Sequence, residues 1–293
     1  MKRRPAAEAA LVFNTLVWGA TFVLVKSALG AVSPLLFLVL RFGLATCALL
    51  LLFRGFGKAG FRWREVGAGA LVGVFLFAGY AFQTIGLRFT TAPKSAFITG
   101  LTSVMVPLLA ALVYRVRPGI SEVAGVTVAT AGLGLMTLEG SIGSIGRGDL
   151  LTLCCAVAFA AHIVTLGHFS EQMRFEVLSV MQVATAAVLA LSLFSWAEKP
   201  YLQWRPVVVY AILITGLLAT ALAFTIQAWA QRYTTATRTA LIYMLEPVNA
   251  WITSWWIAGE GLSGRAAAGA VLILSGVLLV EMKPLNPRLH PSK

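Results

Sequence analysis

Few polar side chains interrupt the long apolar stretches of this sequence, and they are the residues that could do chemistry. Asn14, Trp18 and Thr21 are spaced four and three residues apart, which places them on one face of a helix. Glu246, followed by Pro247, is an acidic residue near the centre of such a stretch. Amide and hydroxyl groups can hydrogen-bond a small molecule, and a carboxyl group in apolar surroundings can exchange a proton. The pattern therefore favours binding over catalysis and makes Glu246 a candidate for proton exchange, which facilitated diffusion would not need.

The spacing of the first stretch recurs at Cys155, Phe159 and His162. Glutamine, aromatic and hydroxyl residues are found in four further apolar stretches. Because polar groups of embedded helices usually face the bundle interior or a wet cavity, these stretches predict six helices around a central cavity. The predicted substrate-binding residues are Asn14, Trp18, Thr21, Tyr80, Gln83, Ser95, Thr99, Phe159, His162, Phe224, Gln227, Thr239 and Tyr243. Glu246 is the candidate for proton coupling.

Each of these residues also has a purely structural interpretation. A single Ser or Thr can serve a helix–helix hydrogen bond, which is worth about 0.6 kcal/mol on average. The Thr-Thr-Ala sequences that begin at Thr90 and Thr234 can cap helix N-termini, and Glu246 can be a neutral acid beside a helix kink. Lys26 is expected to extend its amine toward water. Arg41 lies deeper and is expected to have a partner, which the sequence does not identify.

The composition indicates which elements position these residues. Of 293 residues, 59% are hydrophobic and 12% are charged, and the mean hydropathy is +0.85. A soluble domain has about 25% charged residues, so a soluble enzyme, a disulfide-rich secreted domain and a disordered chain are excluded. Cys47, Cys154 and Cys155 lie in apolar stretches, where they form no disulfide framework. The sequence predicts an all-α polytopic membrane protein.

Ten transmembrane helices fit the apolar stretches between glycine, proline and charged residues. A bilayer core about 30 Å thick needs roughly 20 apolar helical residues for one crossing. The helices are predicted at about 9–29, 33–53, 66–87, 92–114, 120–138, 149–169, 177–197, 207–230, 236–258 and 264–282. The connections are short, so they form no soluble domain and no basic surface for nucleic acid.

The net charge of +12 indicates an orientation and not a nucleic-acid partner. With ten crossings, both termini lie on one side of the membrane. Sorting the loops places fifteen of the 23 lysines and arginines on that side and six on the other. Basic residues collect on cytoplasmic loops. We therefore expect a multi-pass protein of the cytoplasmic (inner) membrane, with both termini in the cytoplasm and the lipid bilayer around it.

The second half of the chain repeats the first. Residues 83–98 and 227–242 are identical at seven of sixteen positions, including Gln83/Gln227 and Arg88/Arg232. Five helices in each half is an odd number, so the second half enters the membrane from the opposite side. The prediction is two inverted five-helix repeats, at 1–143 and 144–293, an architecture that recurs in secondary transporters.

Short motifs in a fixed order extend over nearly the whole chain. They are Leu-Val-Trp-Gly-Ala-Thr-Phe at 16–22, Arg41-Phe42, the Thr-Thr-Ala repeats, Leu-Glu-Pro-Val-Asn-Ala at 245–250 and Gly-Glu-Gly-Leu-Ser at 259–263. In this order they resemble the drug/metabolite transporter superfamily, specifically its ten-helix EamA-type exporter branch. The resemblance implies an exporter of small metabolites, with amino acids, especially aromatic ones, as a well-known substrate class. The first half has no counterpart of Glu260, so any role of that residue belongs to one half.

Residues and resemblance together predict a secondary transporter that exports small metabolites by alternating access through the cavity. An amino-acid-like substrate, aromatic or neutral, is favoured, and a drug or other metabolite is the alternative. A polytopic membrane enzyme is the less favoured rival, because no cluster of acid, His or Ser groups lies at one depth. The motifs GxxxxGK[ST], HExxH and GxSxG do not occur, so no cofactor and no metal are expected. One chain contains a whole path, which is compatible with a monomer.

Overall fold

The computed structural model describes residues 3–55, 62–90, 92–115, 118–137, 146–249, 251–252 and 263–281. Regular structure in these ranges is helical, apart from an isolated antiparallel bridge between Val32 and Leu202. Some features of the sequence analysis lie outside the described ranges. They are Thr91 and Glu260 of the motifs, the repeat boundary at 143/144, and six of the fifteen basic residues counted on the side of the termini: Lys2, Lys58, Arg117, Lys283, Arg288 and Lys293.

The helices follow the predicted order. In the first half they are α1 (Arg4–Ala28), α2 (Pro34–Leu52), α3 (Trp63–Gly86), α4 (Ala92–Gly100), α5 (Thr102–Tyr114) and α6 (Ile120–Thr137). In the second half they are α7 (Arg147–Ser170), α8 (Phe175–Ala197), α9 (Pro206–Leu213), a π-helical segment (Ile214–Leu222), α10 (Ala223–Ala230), α11 (Ala236–Tyr243) and α12 (Gly264–Glu281). Residues 246–249 are also helical.

Length and apolarity identify most of these helices as membrane-spanning. Seven helical stretches in the described ranges are long and apolar enough to cross a membrane, counting α4–α5 and α9–α10 as one stretch each. The apolar helices α6 and α12 are shorter. With the stretch that α11 begins, the described residues contain ten helical stretches, consistent with a polytopic membrane protein.

Contacts between the connections agree with helices that alternate in direction. At the start of α1, Arg3 Nη1 donates to Tyr233 Oη over 3.1 Å, in the connection before α11. At the other end of α1, Lys26 Nζ donates to Thr90 O over 3.3 Å, in the connection between α3 and α4. If successive crossings alternate in direction, the start of α1 and the connection before α11 lie on one side of the membrane. The end of α1 and the connection between α3 and α4 then lie on the other side.

α6 and α12 pack closely because glycines occupy their crossing. A Cβ atom on Gly132 would lie 2.6 Å from Gly269 O, and one on Gly276 would lie 2.5 Å from Gly125 O. Small residues let the backbones approach, and this matters in lipid because the hydrophobic effect does not drive helices together there. These glycines therefore set the distance between the two helices.

The eighth crossing differs from the continuous helix predicted at 207–230. Residues Ile214–Leu222 are π-helical, and Thr220 Oγ1 donates to the carbonyl oxygen of Thr215, five residues earlier, over 2.7 Å. π-Helical turns are rare and often mark functional sites. The carbonyl groups in and just after this segment accept hydrogen bonds from side chains of α1 and α2, as described below.

The fourth and ninth crossings are also interrupted. α4 ends at Gly100 and α5 begins at Thr102, while α11 ends at Tyr243 and the helix resumes at Glu246. Pro247 explains the second break, because proline has no N–H and its ring clashes with the carbonyl group four residues earlier, that of Tyr243. The kink expected at Glu246 and Pro247 is thus present as a short break.

Candidate functional site

A cavity of about 350 Å³ lies between helices of the two halves. Pockets for small ligands usually measure about 300–1,000 Å³. Most of the residues predicted for the site line it: Trp18, Thr21, Tyr80, Gln83, Thr99, Phe159, His162, Phe224, Gln227, Tyr243 and Glu246. The six helices inferred from polar spacing therefore contribute to the lining of one cavity.

Aromatic rings form a continuous wall of this cavity. The ring of Trp18 contacts those of Tyr243 and Phe224, with centroids 4.8 and 5.6 Å apart. The ring of Tyr80 contacts those of Phe159 and Phe224, with centroids 5.2 and 6.0 Å apart. Such aromatic pairs contribute about 0.5–1.5 kcal/mol each beyond their buried area. The wall is thus a firm apolar surface, suited to the ring or aliphatic body of a ligand.

Three of the predicted residues, Asn14, Ser95 and Thr239, do not line the cavity, although all three are buried. Asn14 Nδ2 donates to Ala223 O over 2.8 Å and so joins α1 to α10. Thr239 Oγ1 donates to Thr235 O, 3.0 Å away in the preceding turn. These three residues belong to helices that contribute to the lining, but their own side chains are buried outside it.

The two glutamines of the repeat both line the cavity and differ in their hydrogen bonds. Gln83 Nε2 donates to Thr99 Oγ1 over 3.4 Å. Gln227 Nε2 donates to Gln231 Oε1 over 3.1 Å, and within the described residues Gln227 Oε1 accepts no hydrogen bond. An amide oxygen can accept two hydrogen bonds. Gln227 therefore offers a buried acceptor to a ligand that carries N–H or O–H groups.

His162 contributes an oriented imidazole to the same wall. Its Nε2 lies 2.8 Å from Gln182 Oε1, and its ring meets the edge of Phe224 with centroids 5.5 Å apart. This hydrogen bond joins α7 to α8 and fixes the position of the ring.

Arg41 also lines the cavity, which the spacing of polar residues did not indicate. Its Nε donates to Thr220 Oγ1 over 2.7 Å, and its Nη2 donates to Tyr80 Oη over 3.0 Å and to Ala219 O over 3.3 Å. Trp18 Nε1 donates to the same Ala219 carbonyl over 2.9 Å. The expected partner of Arg41 is thus a set of neutral oxygens. A single arginine inside an apolar stretch was the signal that could have placed it in the site.

Glu246 lines the cavity at the point where the ninth crossing resumes, with Pro247 and Trp251 beside it in the lining. Within the described lining, Arg41 supplies the cation and Glu246 the acid. The cavity lining therefore has one basic and one acidic side chain among its aromatic, amide and hydroxyl groups.

Two hydroxyl–carboxylate contacts join the halves of the chain at opposite ends of the bundle. Thr90 Oγ1 donates to Asp149 Oδ1 over 2.7 Å, and Thr234 Oγ1 donates to Glu8 Oε1 over 3.2 Å. Thr90 and Thr234 are equivalent positions of the sequence repeat. In each contact the threonine comes from one half and the acid from the other.

A helical membrane bundle with a cavity for a small molecule between its halves is an architecture of transporters. The model of the EamA-like transporter family matches residues 6–138 and again residues 146–282. The chain therefore belongs to this family, within the drug/metabolite transporter superfamily, and it is a membrane transporter. The resemblance seen in the sequence motifs is confirmed.

Relatives extend over almost the full length of the chain. An uncharacterized transporter of Archaeoglobus fulgidus is 33% identical over 282 residues, which cover 96% of this chain and 87% of the relative. A probable terminal-alkyne amino-acid exporter of Streptantibioticus cattleyicolor is 25% identical over 290 residues, which cover 97% of this chain and 96% of the relative. A solved crystal structure matches with a TM-score of 0.76 at 20% identity, covering 94% of this chain and 97% of the other, and so has the same fold.

Proposed function

We propose that this transporter exports amino-acid-like small molecules, with an aromatic or neutral side chain, by alternating access through the aromatic cavity. The observation that carries the proposal is the chemistry of the lining, in which Arg41, Glu246 and Gln227 surround an aromatic wall. A zwitterion with an apolar side chain complements such a surface. The similarity to a relative named as a probable amino-acid exporter supports the same substrate class.

The inverted five-helix repeat, at 1–143 and 144–293, is part of this proposal. The double match of the family model supports it, as does the contact of α6 with α12. By the offset of the sequence repeat, Gly125 corresponds to Gly269 and Gly132 to Gly276. Gly132 packs against Gly269, and Gly125 against Gly276. Such reciprocal pairing is expected when a two-fold axis relates two antiparallel helices.

Alternating access requires each end of the cavity to open in turn. The contacts Thr90–Asp149 and Thr234–Glu8 are suited to this, because each joins the two halves at one end of the bundle. Both contacts are formed in this structure, and when the halves rock against each other one of them breaks while the other is kept. Glu246 is proposed to bind and release a proton during this cycle.

The distribution of charge supports a location in the cytoplasmic membrane with both termini inside. The end of the bundle at which α1 begins carries Arg3, Arg4 and Arg174. At this end Arg174 Nη2 pairs with Glu65 Oε2 over 3.1 Å. Basic residues at this end fit the positive-inside rule. Because one chain surrounds the cavity, we propose that the monomer is the transporting unit.

Uptake into proteoliposomes tests the proposed function. Purified protein should carry labelled phenylalanine down its gradient faster than protein-free liposomes do, and unlabelled tyrosine or leucine should compete. Trp18→Ala should lower the initial rate on the order of tenfold, because it removes a ring that contacts two others of the wall. Trp196→Ala is the matched control, since Trp196 is exposed and lies outside the lining.

Two results would contradict the proposal. A rate equal to that of empty liposomes across a panel of neutral amino acids would refute amino-acid transport. Transport by the Trp18 and Trp196 variants at the same rate would show that the path does not pass through this cavity. Transport of unrelated amphipathic compounds without amino-acid transport would instead favour a drug or metabolite exporter.

A further inference from the structure

Arg41 has an unusual environment for a guanidinium group at membrane depth. It is 4% exposed, and it lies among the rings of Tyr80 and Phe42, with its Cζ 4.2 and 5.9 Å from the two ring centroids. No described carboxylate lies within the 4.0 Å that defines an ion pair with it. A buried charge without a counter-charge is costly, and in membrane proteins it usually serves a substrate or ion path.

The hydrogen bonds of Arg41 leave one side of the guanidinium group available. Nε and Nη2 are held by Thr220 Oγ1, Tyr80 Oη and Ala219 O, whereas Nη1 donates to no described residue. The Tyr80 hydroxyl accepts from Arg41 and so retains its own proton to donate. Both donors belong to residues that line the cavity.

We propose that Arg41 and Tyr80 form a binding site for the carboxylate of the transported molecule, an inference that rests on the proposed function and names the group recognised. A carboxylate accepts hydrogen bonds from arginine in the plane of the guanidinium group and neutralises its charge. Within the described lining Arg41 is the one Lys or Arg side chain, so the site suits a ligand with a single negative charge. The adjoining rings of Phe159 and Phe224 require that the carboxylate be attached to an apolar or aromatic body.

The π-helical segment holds this site in place. Ala219 and Thr220 belong to it, and their oxygens accept from Arg41 on α2, while Ala219 O also accepts from Trp18 on α1. The guanidinium group is thus fixed before a ligand arrives, so little ordering cost remains at binding. An arginine with this many fixed contacts is a rigid part of the site and not a mobile side chain.

Two ligands that differ at one group provide the test: 3-phenylpropionate and 3-phenyl-1-propanol share a carbon skeleton, and one has a carboxylate where the other has a hydroxyl. Thermal unfolding of the purified wild-type protein is measured against the concentration of each ligand at neutral pH. We expect 3-phenylpropionate to raise Tm at a concentration about tenfold or more below that of the alcohol. This comparison needs no variant.

Variants assign the preference to Arg41. Arg41→Gln should abolish the preference for the carboxylate, and Arg41→Lys should reduce it, because lysine keeps the charge and lacks the planar group of donors. Arg205→Gln is the matched control, since Arg205 is exposed and lies outside the cavity lining; it should keep the full preference. If Arg41→Gln does not fold, the lysine variant and the wild-type comparison decide the question.

The outcomes separate the carboxylate site from the transport function. The proposal is overturned if 3-phenylpropionate does not stabilise the wild-type protein, if the alcohol binds equally well, or if both Arg41 variants keep the full preference. A carboxylate preference that disappears in Arg41→Gln, in a protein that transports no amino acid, supports the site and refutes the proposed substrates. Amino-acid transport without a carboxylate preference refutes the site alone.

Discussion

At the scale of single residues, two kinds of polar group lie in or beside the cavity. Trp18 and Asn14 donate their hydrogen bonds to backbone carbonyls of the eighth crossing, so they hold helices together even when no ligand is bound. Gln227 has a buried oxygen without a hydrogen bond from the described residues, and Glu246 adds a carboxyl group to the lining. Groups of the second kind can change partner during a transport cycle, and substitutions there should alter transport more than stability.

Glu246→Gln tests this at the residue proposed to carry the proton. The variant keeps the size and hydrogen-bonding ability of the side chain and removes its titration, so it should abolish any stimulation of uptake by an imposed pH gradient. Uptake of labelled phenylalanine is compared with and without the gradient. Glu176→Gln is the control, because Glu176 lies outside the cavity lining and should leave the response intact. An unchanged response in Glu246→Gln would contradict proton coupling through this residue.

At the scale of helices, sequence patterns predicted which segments are helical and where most of them end. The length of each apolar stretch and the glycine, proline and charged residues between stretches determine this. They did not predict the π-helical segment at Ile214–Leu222. Its conformation accompanies hydrogen bonds to Ala219 O from Arg41 and Trp18, two side chains far away in the chain. For the same reason Arg41 was assigned to a helix but not to the cavity. A local pattern contains no information about which distant donor meets a given carbonyl group.

The glycine contact of α6 and α12 gives a prediction about stability. Gly276→Ala should destabilise the protein by about 1–3 kcal/mol, since the added Cβ would lie 2.5 Å from Gly125 O and 2.8 Å from Ala129 Cβ. Gly43→Ala is the matched control, because nothing lies within 4 Å of its added Cβ, and alanine should leave the stability unchanged or raise it. Thermal unfolding in detergent compares the two variants. Equal transition temperatures would contradict close packing at this crossing.

At the scale of the whole molecule, the two threonine–acid contacts are the candidate gates of the proposed alternating access. Thr90–Asp149 and Thr234–Glu8 join the halves at opposite ends of the bundle, and alternating access requires each of them to open once in every cycle. A channel conducts with both ends open together, whereas alternating access keeps one end closed while the other is open.

Cross-linking each pair of residues tests whether each end must open during transport. In a background without Cys47, Cys154 and Cys155, the pairs Thr90→Cys/Asp149→Cys and Thr234→Cys/Glu8→Cys are treated with a short thiol-reactive cross-linker. Either cross-link should reduce uptake of labelled phenylalanine to the level of empty liposomes, while ligand binding to the cavity, measured by thermal stabilisation, persists in at least one of the two. The single-cysteine variants treated with the same reagent are the controls for its chemical effect. Full uptake with one end cross-linked would contradict alternating access, because that end would then not need to open.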